Sequence, residues 1–292
     1  MSDPILLTGA NGRTGRAILK SLSLAKIPVR AFVRDESQSA DLIRLGASEI
    51  SVGDLEDEAT LAQAVKGAEQ VLHIGPPMYA AELEATTALI GASKSAGVDH
   101  FIYYSVMHPL SRAIRHHRLK LDSEEALINS GLTHTILQPS RYMQHLEMIW
   151  PKVIEEGVHA MPFSVTQKFS VVDLVDLADA CAVVASSPRY RYGTYELAGP
   201  EALSQRDMAA IISEVIEKPM TAQKVPIEAM QERARAAGAS DDRVEQMTIM
   251  NTHYDQHGFQ SNAVVLECIL GRPATTFQSY VSRLAKPMDA VQ

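Results

Sequence analysis

The chain has 292 residues, of which 46% are hydrophobic and 21% are charged, as in ordinary folded globular proteins. Its formal net charge is −8, which disfavours binding to nucleic-acid phosphates or to anionic membranes. No apolar stretch reaches the length of a membrane span, and the first residues lack the basic and apolar regions of a signal peptide. These features predict a cytoplasmic protein with no nucleic-acid or membrane partner.

The first half of the chain alternates short apolar runs with segments of helical spacing. The predicted strands lie at residues 5–7, 29–33, 49–52, 70–74, 101–104 and 133–137. The predicted helices lie at residues 13–25, 41–45, 58–66, 80–96 and 116–130. This alternation is typical of parallel strands covered by helices on both faces. It predicts an α/β fold, a Rossmann-type doubly wound parallel sheet.

The second half of the chain is less regular. Segments at 168–172 and 194–198 are predicted strands that complete the sheet, with a helix between them at 173–186. A helix capped by Ser204 and a strand at 221–226 follow, and the remainder is predicted to be mostly helical. We therefore expect a Rossmann domain over residues 1–150, completed from within about 168–200, and a smaller, mostly helical C-terminal substrate lobe over 151–292.

A glycine-rich turn separates the first predicted strand from the first predicted helix. In this turn one glycine permits a tight bend, a second lets a pyrophosphate approach the backbone, and a third lets the helix pack closely on the sheet. The start of the helix directs free N–H groups and a positive dipole end towards the phosphates. The predicted dinucleotide-binding residues of the turn are Gly9, Asn11, Gly12, Arg13, Thr14 and Gly15.

The residue at the end of the second strand distinguishes NADP from NAD. An acidic residue there would bind the ribose 2′-hydroxyl of NAD, whereas Arg34 can grip a 2′-phosphate through charge-assisted hydrogen bonds. Arg13 can reach the same phosphate from the turn. Asp35 and Glu36 follow at once and are the contrary observation. The two arginines predict NADP(H) as the cofactor.

Three further loops follow predicted strands at the sheet edge where open α/β sheets bind ligands. Asp54 and Leu55 are expected to hold the adenine, with Asp54 accepting a hydrogen bond from its amino group. Two other loops are expected to border the nicotinamide and its ribose, and their residues are Gly75, Pro76 and Pro77, and Gln138, Pro139 and Ser140.

Several motifs together resemble the NmrA-like family of atypical short-chain dehydrogenase/reductases. They are the turn at residues 8–15, Val33-Arg34, Gly53-Asp54-Leu55, His116 with Lys120 and Glu124, Ser130-Gly131-Leu132, the segment at 197–204, and Leu270-Gly271-Arg272-Pro273. The resemblance covers essentially the whole chain. It implies a seven-stranded Rossmann sheet, a smaller helical lobe and a substrate cleft between them. It also implies either a quinone or dye reductase, or a regulator that binds NADP without catalysis.

Ordinary short-chain dehydrogenases place a tyrosine four residues before a lysine, so that both lie on one face of a helix. In this chain His116 stands in the tyrosine's place, and Lys120 keeps the lysine's place. Lys120 is expected to bond either the nicotinamide ribose or the end of the fourth strand. His116 is the candidate general acid, because an imidazole exchanges protons near neutral pH. The missing tyrosine argues against ketone chemistry and leaves acceptors that need little acid assistance.

Aromatic and methionine side chains suit a flat, apolar substrate. The candidate substrate-binding residues are Tyr79, His108, Tyr142, Met143 and Trp150. Tyr142, Met143 and Trp150 can equally pack the core. His253 and His257 lack a convincing third ligand, so no metal is expected.

The leading hypothesis is an NADPH-dependent oxidoreductase that transfers hydride to a planar, conjugated small molecule such as a quinone or a dye. One alternative is a non-catalytic, NADP-binding redox sensor that acts through protein contacts. The other is a reductase of one specialised metabolite, an imine or an enone. A homodimer and a regulatory protein partner both stay open.

Overall fold

The computed structural model describes residues 3–286, which contain twelve strands and twelve α-helices. The strands are β1 (Ile5–Leu7), β2 (Val29–Val33), β3 (Glu49–Val52), β4 (Gln70–Ile74), β5 (His100–Tyr104), β6 (His134–Pro139), β7 (Arg141–Tyr142), β8 (Val158–Met161), β9 (Phe169–Val172), β10 (Gly193–Leu197), β11 (Glu201–Leu203) and β12 (Thr221–Lys224). The helices are α1 (Arg13–Leu24), α2 (Ser39–Leu45), α3 (Glu58–Val65), α4 (Glu82–Ala96), α5 (Arg115–Asn129), α6 (Trp150–Glu156), α7 (Leu174–Ala185), α8 (Gln205–Ile216), α9 (Ile227–Ala236), α10 (Asp241–His257), α11 (Val264–Leu270) and α12 (Phe277–Leu284).

The largest sheet has seven strands in the order β10-β6-β5-β4-β1-β2-β3. Strands β1 to β6 pair in parallel, and β1 lies between β2 and β4, where the strand order reverses. This is the doubly wound arrangement, so the predicted Rossmann-type fold is confirmed. Because parallel strands end at a common edge, the loops after β1, β2, β3, β4, β5 and β6 share that edge.

Apolar strands explain why helices cover the sheet. All five residues of β5 are buried, and Leu6, Leu7 and Leu72 are fully buried. Burying a leucine or isoleucine side chain contributes roughly 1.5–3 kcal/mol, so a strand with two apolar faces requires a helix layer on each. Helix α7 packs on α1, and Ser21 Oγ donates a 2.9 Å hydrogen bond to Asp179 Oδ1 between them. Helices α3, α4 and α5 pack side by side.

The chain divides into two compact units, Met1–Pro139 with Leu174–Glu196 and Ser140–Asp173 with Leu197–Gln292. The first unit therefore ends before residue 150, the boundary expected from the sequence, and takes α7 and most of β10 from the later part of the chain. The segment at 168–172, which the sequence assigned to the Rossmann sheet, instead forms β9 in the second unit.

The second unit combines helices with two small sheets. In the first sheet β9 lies between β7 and β11, parallel to β7 and antiparallel to β11. In the second sheet β8 and β12 pair in parallel. Along the chain, α6 and α8 lie between these strands, and α9, α10, α11 and α12 follow them. Strands β7, β8 and β11 were not predicted, because runs of two to four residues carry too few side chains to show alternation.

Three further observations concern membrane spans, metal sites and the two cysteines. Within residues 3–286, no helix is both long and apolar enough to cross a bilayer. The same residues contain no group of three or more histidine, cysteine or acidic side chains arranged to hold a metal ion. Cys181 is buried as expected, whereas Cys268 is exposed, because its position on the short helix α11 faces outward.

Candidate functional site

The glycine-rich turn has a shape that only glycines permit. Gly9 has a φ of +62°, and a Cβ there would lie 2.8 Å from the carbonyl oxygen of Ile74. A Cβ on Gly15 would overlap the carbonyl of Gly9, because α1 passes directly over the turn. In contrast, the only neighbour of a Cβ on Gly12 would be the Gly9 carbonyl oxygen, at 3.3 Å. The Gly12 position is therefore an open approach to the backbone.

The N-terminus of α1 is suited to an anion. Gly12 is its N-cap and supplies no side-chain hydrogen bond, and no acidic residue occupies the first turn. The first N–H groups and the positive end of the helix dipole are therefore not neutralised by the helix's own side chains. Asn11 Oδ1 accepts a 3.1 Å hydrogen bond from Arg16 Nη1, while Arg13 is exposed and Thr14 half-buried. This cradle fits a diphosphate.

The end of β2 presents the two residues that compete in the choice between NADP and NAD. Arg34 is exposed, and no ion pair to it occurs among residues 3–286. Asp35 caps a short 3-10 helix, where its Oδ1 accepts a 2.8 Å hydrogen bond from the backbone N–H of Ser37. That hydrogen bond lowers the pKa of Asp35. The carboxylate that could favour NAD thus already has a local structural role.

The loops after β3 and β4 differ in their side-chain contacts. Asp54 is exposed, and its Oδ1 accepts a 3.0 Å hydrogen bond from the N–H of Glu56, which holds the loop in shape. Leu55 packs partly against the core. At Gly75 a Cβ would overlap the carboxylate of Glu82, which lies directly behind the loop. Pro76 and Pro77 continue that loop and are exposed.

A buried ion pair lies behind the Gly75 loop. Lys120 on α5 donates a 2.7 Å hydrogen bond to Glu82 Oε1 and a 3.3 Å hydrogen bond to the carbonyl of Tyr104 at the end of β5. Tyr103 donates a 2.7 Å hydrogen bond to the same Glu82 oxygen. Burial raises the pKa of Glu82, but the charges of Lys120 and His73 and the hydrogen bonds from Lys120 and Tyr103 together outweigh it, and the net shift is downward. Lys120 therefore bonds the end of β5, whereas one alternative expected from the sequence was a bond to the end of β4.

A chain of neutral polar groups adjoins this pair. His73 on β4 lies between Thr8 Oγ1, 2.8 Å from its Nδ1, and Thr86 Oγ1, 3.1 Å from its Nε2. Its ring stacks on Tyr103 with centroids 5.7 Å apart. Burial lowers the pKa of His73 to about 4, so the ring is neutral at neutral pH. The backbone N–H of Ile74 donates to Thr8 Oγ1, which ties the first turn to β4.

His116 lies near the pair but does not carry a charge. Burial, together with the nearby charges of Lys120 and His117, lowers its pKa to about 3. Its Nδ1 is buried and has no hydrogen-bond partner among residues 3–286. A neutral imidazole cannot deliver a proton as an imidazolium at pH 7, so this geometry argues against the general-acid role expected for His116.

The ends of β5 and β6 share a second buried carboxylate. Glu124 on α5 accepts a short hydrogen bond from Ser105 Oγ and two 2.9 Å hydrogen bonds from Gln138 Nε2. Burial raises its pKa. Pro139 accepts a hydrogen bond from the N–H of Met107 at 2.9 Å, and Ser140 donates from its N–H to Leu197 over the same distance.

The two candidate substrate residues of the first unit, Tyr79 and His108, have different surroundings. Tyr79 donates a 2.7 Å hydrogen bond to Glu56, and burial together with Glu56 raises its pKa. His108 has a φ of +54° and lies 3.6 Å from Glu196. His108 lines an open pocket together with Glu124, Gln138 and Glu196, whereas Tyr79 is not part of that lining.

The second unit has a pocket of its own, with about 450 Å³ of space between atoms, part of it open to solvent. Tyr142 and Met143 line it, whereas Trp150 begins α6 outside the lining. The pocket also holds Arg141, which stacks over Phe163 and Phe169 at 5.0 and 5.7 Å. Such contacts contribute about 0.5–2 kcal/mol each, less than the several kcal/mol that burial of an ion costs.

Comparison with known proteins identifies the family. The model of the NmrA-like family matches residues 1–281, nearly the whole chain. The chain is a member of the NmrA-like family. The resemblance inferred from the motifs is therefore confirmed.

Relatives of this NmrA-like chain include characterised reductases. It is 28% identical to an NAD(P)H azoreductase of Xenophilus azovorans over 98% of this chain and 99% of the relative. It is 27% identical to quinone oxidoreductase 2 of Escherichia coli, over 96% and 98% of the two chains. The crystal structure of an NADPH-dependent quinone oxidoreductase from Escherichia coli in complex with NADPH superposes with a TM-score of 0.85, at 26% identity, over 97% and 100% of the two chains.

Sequence reasoning missed the residues that surround Lys120 in this NmrA-like protein. Glu82 and Tyr103 belong to separate elements, and Glu82 lies 38 residues before its partner. No local spacing joins them, although a glutamate in the first turn of a helix that follows a strand-end glycine is a usable signal. Arg141 was also missed, because a single arginine beside Tyr142 gives no sign that it lies over two aromatic rings.

Proposed function

We propose that this chain reduces planar, conjugated small molecules such as quinones and dyes by hydride transfer from NADPH. The coarser part of that statement is secure: the chain is an NAD(P)H-dependent oxidoreductase, as its full-length relatives are, and NADP(H) is its cofactor. The acceptor class and the roles of individual residues are the proposal.

The glycine-rich turn and the α1 N-terminus support binding of the diphosphate, with Gly12 as the point of closest backbone approach. Arg34 supplies the exposed guanidinium for the 2′-phosphate, assisted by Arg13. Asp54 lies where the adenine is expected. When bound, the nicotinamide supplies the hydride, and the protein supplies its orientation.

Lys120 acts as a positioning group. It uses two of its three N–H bonds on Glu82 and on the carbonyl of Tyr104, so the third is available to a ribose hydroxyl. Glu82 fixes the direction of the ammonium group and compensates its charge. Lys120 thus fits the ribose-binding role expected from the sequence, with Glu82 as its support.

One observation carries the choice of acceptor: the place of the catalytic tyrosine is occupied by a histidine that burial keeps neutral. Reducing a ketone requires a proton on the oxygen as the hydride arrives. A quinone delocalises the incoming electrons and takes its proton from water afterwards. A conjugated cation is neutralised by the hydride itself and needs no proton. The site therefore suits quinones and conjugated cations rather than ketones.

The direct test is NADPH oxidation, followed at its absorbance band, against a panel of benzoquinones, naphthoquinones, azo dyes and triphenylmethane dyes. We expect turnover on at least one quinone or dye and none on simple ketones. Turnover on ketones alone would overturn the acceptor class. NADPH binding measured by fluorescence, with no turnover on any acceptor, would favour the redox-sensing regulator.

A further inference from the structure

The second unit contains a cation that lacks a counter-charge. Arg141 lies in β7 at the wall of the pocket, and burial lowers the pKa of its guanidinium to about 10. Within residues 3–286 it forms no ion pair with a carboxylate, and its one polar contact is a 4.0 Å approach of Nη2 to Met161 Sδ. Proteins place a charge in such surroundings only with a partner, so the missing partner is the first indication of a ligand.

Two other polar atoms of the same pocket also lack partners. Nδ1 of His159 and Oε1 of Gln205 are buried and form no hydrogen bond within residues 3–286. The Gln205 amide is oriented by its nitrogen, which donates to the carbonyl of Phe163 at 2.5 Å, so its oxygen is an acceptor. Burial and the charge of Arg141 lower the pKa of His159 to about 4, so it is neutral. An amide oxygen without a donor and an imidazole nitrogen without a partner therefore accompany the cation.

The remaining lining is mostly apolar and runs from buried phenylalanines to a half-buried tyrosine and an exposed histidine. Phe163, Phe169 and Phe277 are almost fully buried at the inner side. Tyr142 is half-buried, and its ring lies parallel to that of the exposed His145, with centroids 5.7 Å apart. A ligand that fits this order has a charged head against Arg141 and a flat body between aromatic side chains.

We propose that this pocket binds the carboxylate of an aromatic hydroxy acid. The planar fork of a guanidinium matches a carboxylate, which can accept two parallel hydrogen bonds from it. A hydroxyl on the ring supplies the donor that Gln205 Oε1 lacks, and it can pair with His159 Nδ1 either as donor or as acceptor. The apolar walls hold the ring. This site lies wholly within the second unit and stands whether or not quinones are the acceptors of the reductase.

The test is calorimetric titration of the full chain with benzoate, the three hydroxybenzoates and the corresponding uncharged hydroxybenzamides. We expect at least one hydroxybenzoate to bind at least about tenfold more tightly than its amide and than benzoate. Equal affinity of acids and amides, or no binding of any acid, would overturn the proposal. Equal affinity of benzoate and all hydroxybenzoates would remove the hydroxyl from it.

Arg141→Met keeps the length of the side chain and removes the charge, and we expect it to abolish the preference for acids over amides. Arg206→Met is the matched control, since Arg206 is an exposed arginine of the same unit beside the lining residue Gln205. Thermal unfolding separates binding from folding. Without ligand the Arg141→Met protein should unfold at the same temperature as the wild type or higher, because an unpaired buried charge has been removed. A large fall in that temperature would mean that Arg141 is structural and would contradict the proposal.

Discussion

The two units of the chain each enclose a cation, and they treat it in opposite ways. Lys120 in the first unit has the carboxylate of Glu82 at 2.7 Å and the carbonyl of Tyr104 at 3.3 Å. Among residues 3–286, the side-chain contacts of Arg141 in the second unit are two phenylalanine rings and a methionine sulfur. Lys120 is almost fully buried and Arg141 is half-buried, and the two differ most clearly in their partners.

The difference separates a charge that the fold satisfies from a charge left for something else to satisfy. A paired charge can be fixed in direction, which suits a group that must hold one hydroxyl of a cofactor. An unpaired charge raises the energy of the free protein and lowers it again when an anion arrives. We expect loss of the Lys120 partner to lower stability, as tested below, and loss of the Arg141 charge not to lower it, as the Arg141→Met variant tests.

The largest effect should follow from breaking the Lys120 pair. Replacing Glu82 with leucine leaves the Lys120 ammonium buried without a counter-charge, which should reduce the free energy of unfolding by about 3–5 kcal/mol. The double variant Glu82→Leu with Lys120→Met removes both charges and should recover much of that loss. Urea unfolding of the three proteins measures both quantities. If the double variant is as unstable as the single one, the ion pair is not the cause.

The next largest effect comes from His73, whose burial keeps its ring neutral. The pKa of His73 is lowered from 6.5 to about 4, so below pH 6.5 the unfolded chain takes up a proton that the folded chain refuses. Stability should therefore fall between pH 6.5 and pH 4, with His73 contributing about 3 kcal/mol by the lower limit. His73→Gln should flatten this part of the profile, measured by urea unfolding at each pH.

An exposed arginine gives a smaller and more selective effect. Arg34→Ala should weaken NADPH binding by about 1.5–3 kcal/mol, because charge-assisted hydrogen bonds to the 2′-phosphate are lost, and should leave NADH binding unchanged. Fluorescence titration with both nucleotides measures the two affinities. Arg44→Ala is the control, since Arg44 is also exposed and pairs with Asp41 on α2. Equal losses for NADPH and NADH would exclude the 2′-phosphate contact.

The smallest effect is expected at His116. Because the ring is already neutral at pH 7, His116→Gln should change kcat by no more than about twofold and should not move the pH profile between pH 5 and 9. Steady-state rates with a quinone acceptor provide the measurement. A large loss of kcat with an altered profile would restore His116 as the proton donor.

The sequence predicted the first unit far better than the second. Strands β1 to β4 lie at the predicted residues, because continuous apolar runs bounded by glycines are strong local signals. Residues 168–172 were correctly predicted as a strand but assigned to the wrong sheet. Local pattern gives the type of an element, whereas its neighbours depend on contacts between distant segments, here β9 with β7 and β11.

The same limit applies to the candidate site. The glycine-rich turn, Arg34 and Lys120 could be proposed from spacing alone, since each belongs to one continuous motif. The support of Lys120 by Glu82 and Tyr103 could not, because it joins α4, α5 and β5. The neutrality of His116 also depends on burial, which one sequence position does not reveal.

The late return of the chain to the first unit has a consequence for biosynthesis. Helix α7 and strand β10 are synthesised only after Ser140–Asp173, so the large sheet lacks an edge strand and one helix until then. A chain halted after residue 150 exposes the edge of β6 and the face of α1 that α7 covers. Such an intermediate presents both an unpaired strand and apolar helix surface to other chains. The nascent first unit therefore depends on α7 and β10, which are synthesised only after the first part of the second unit.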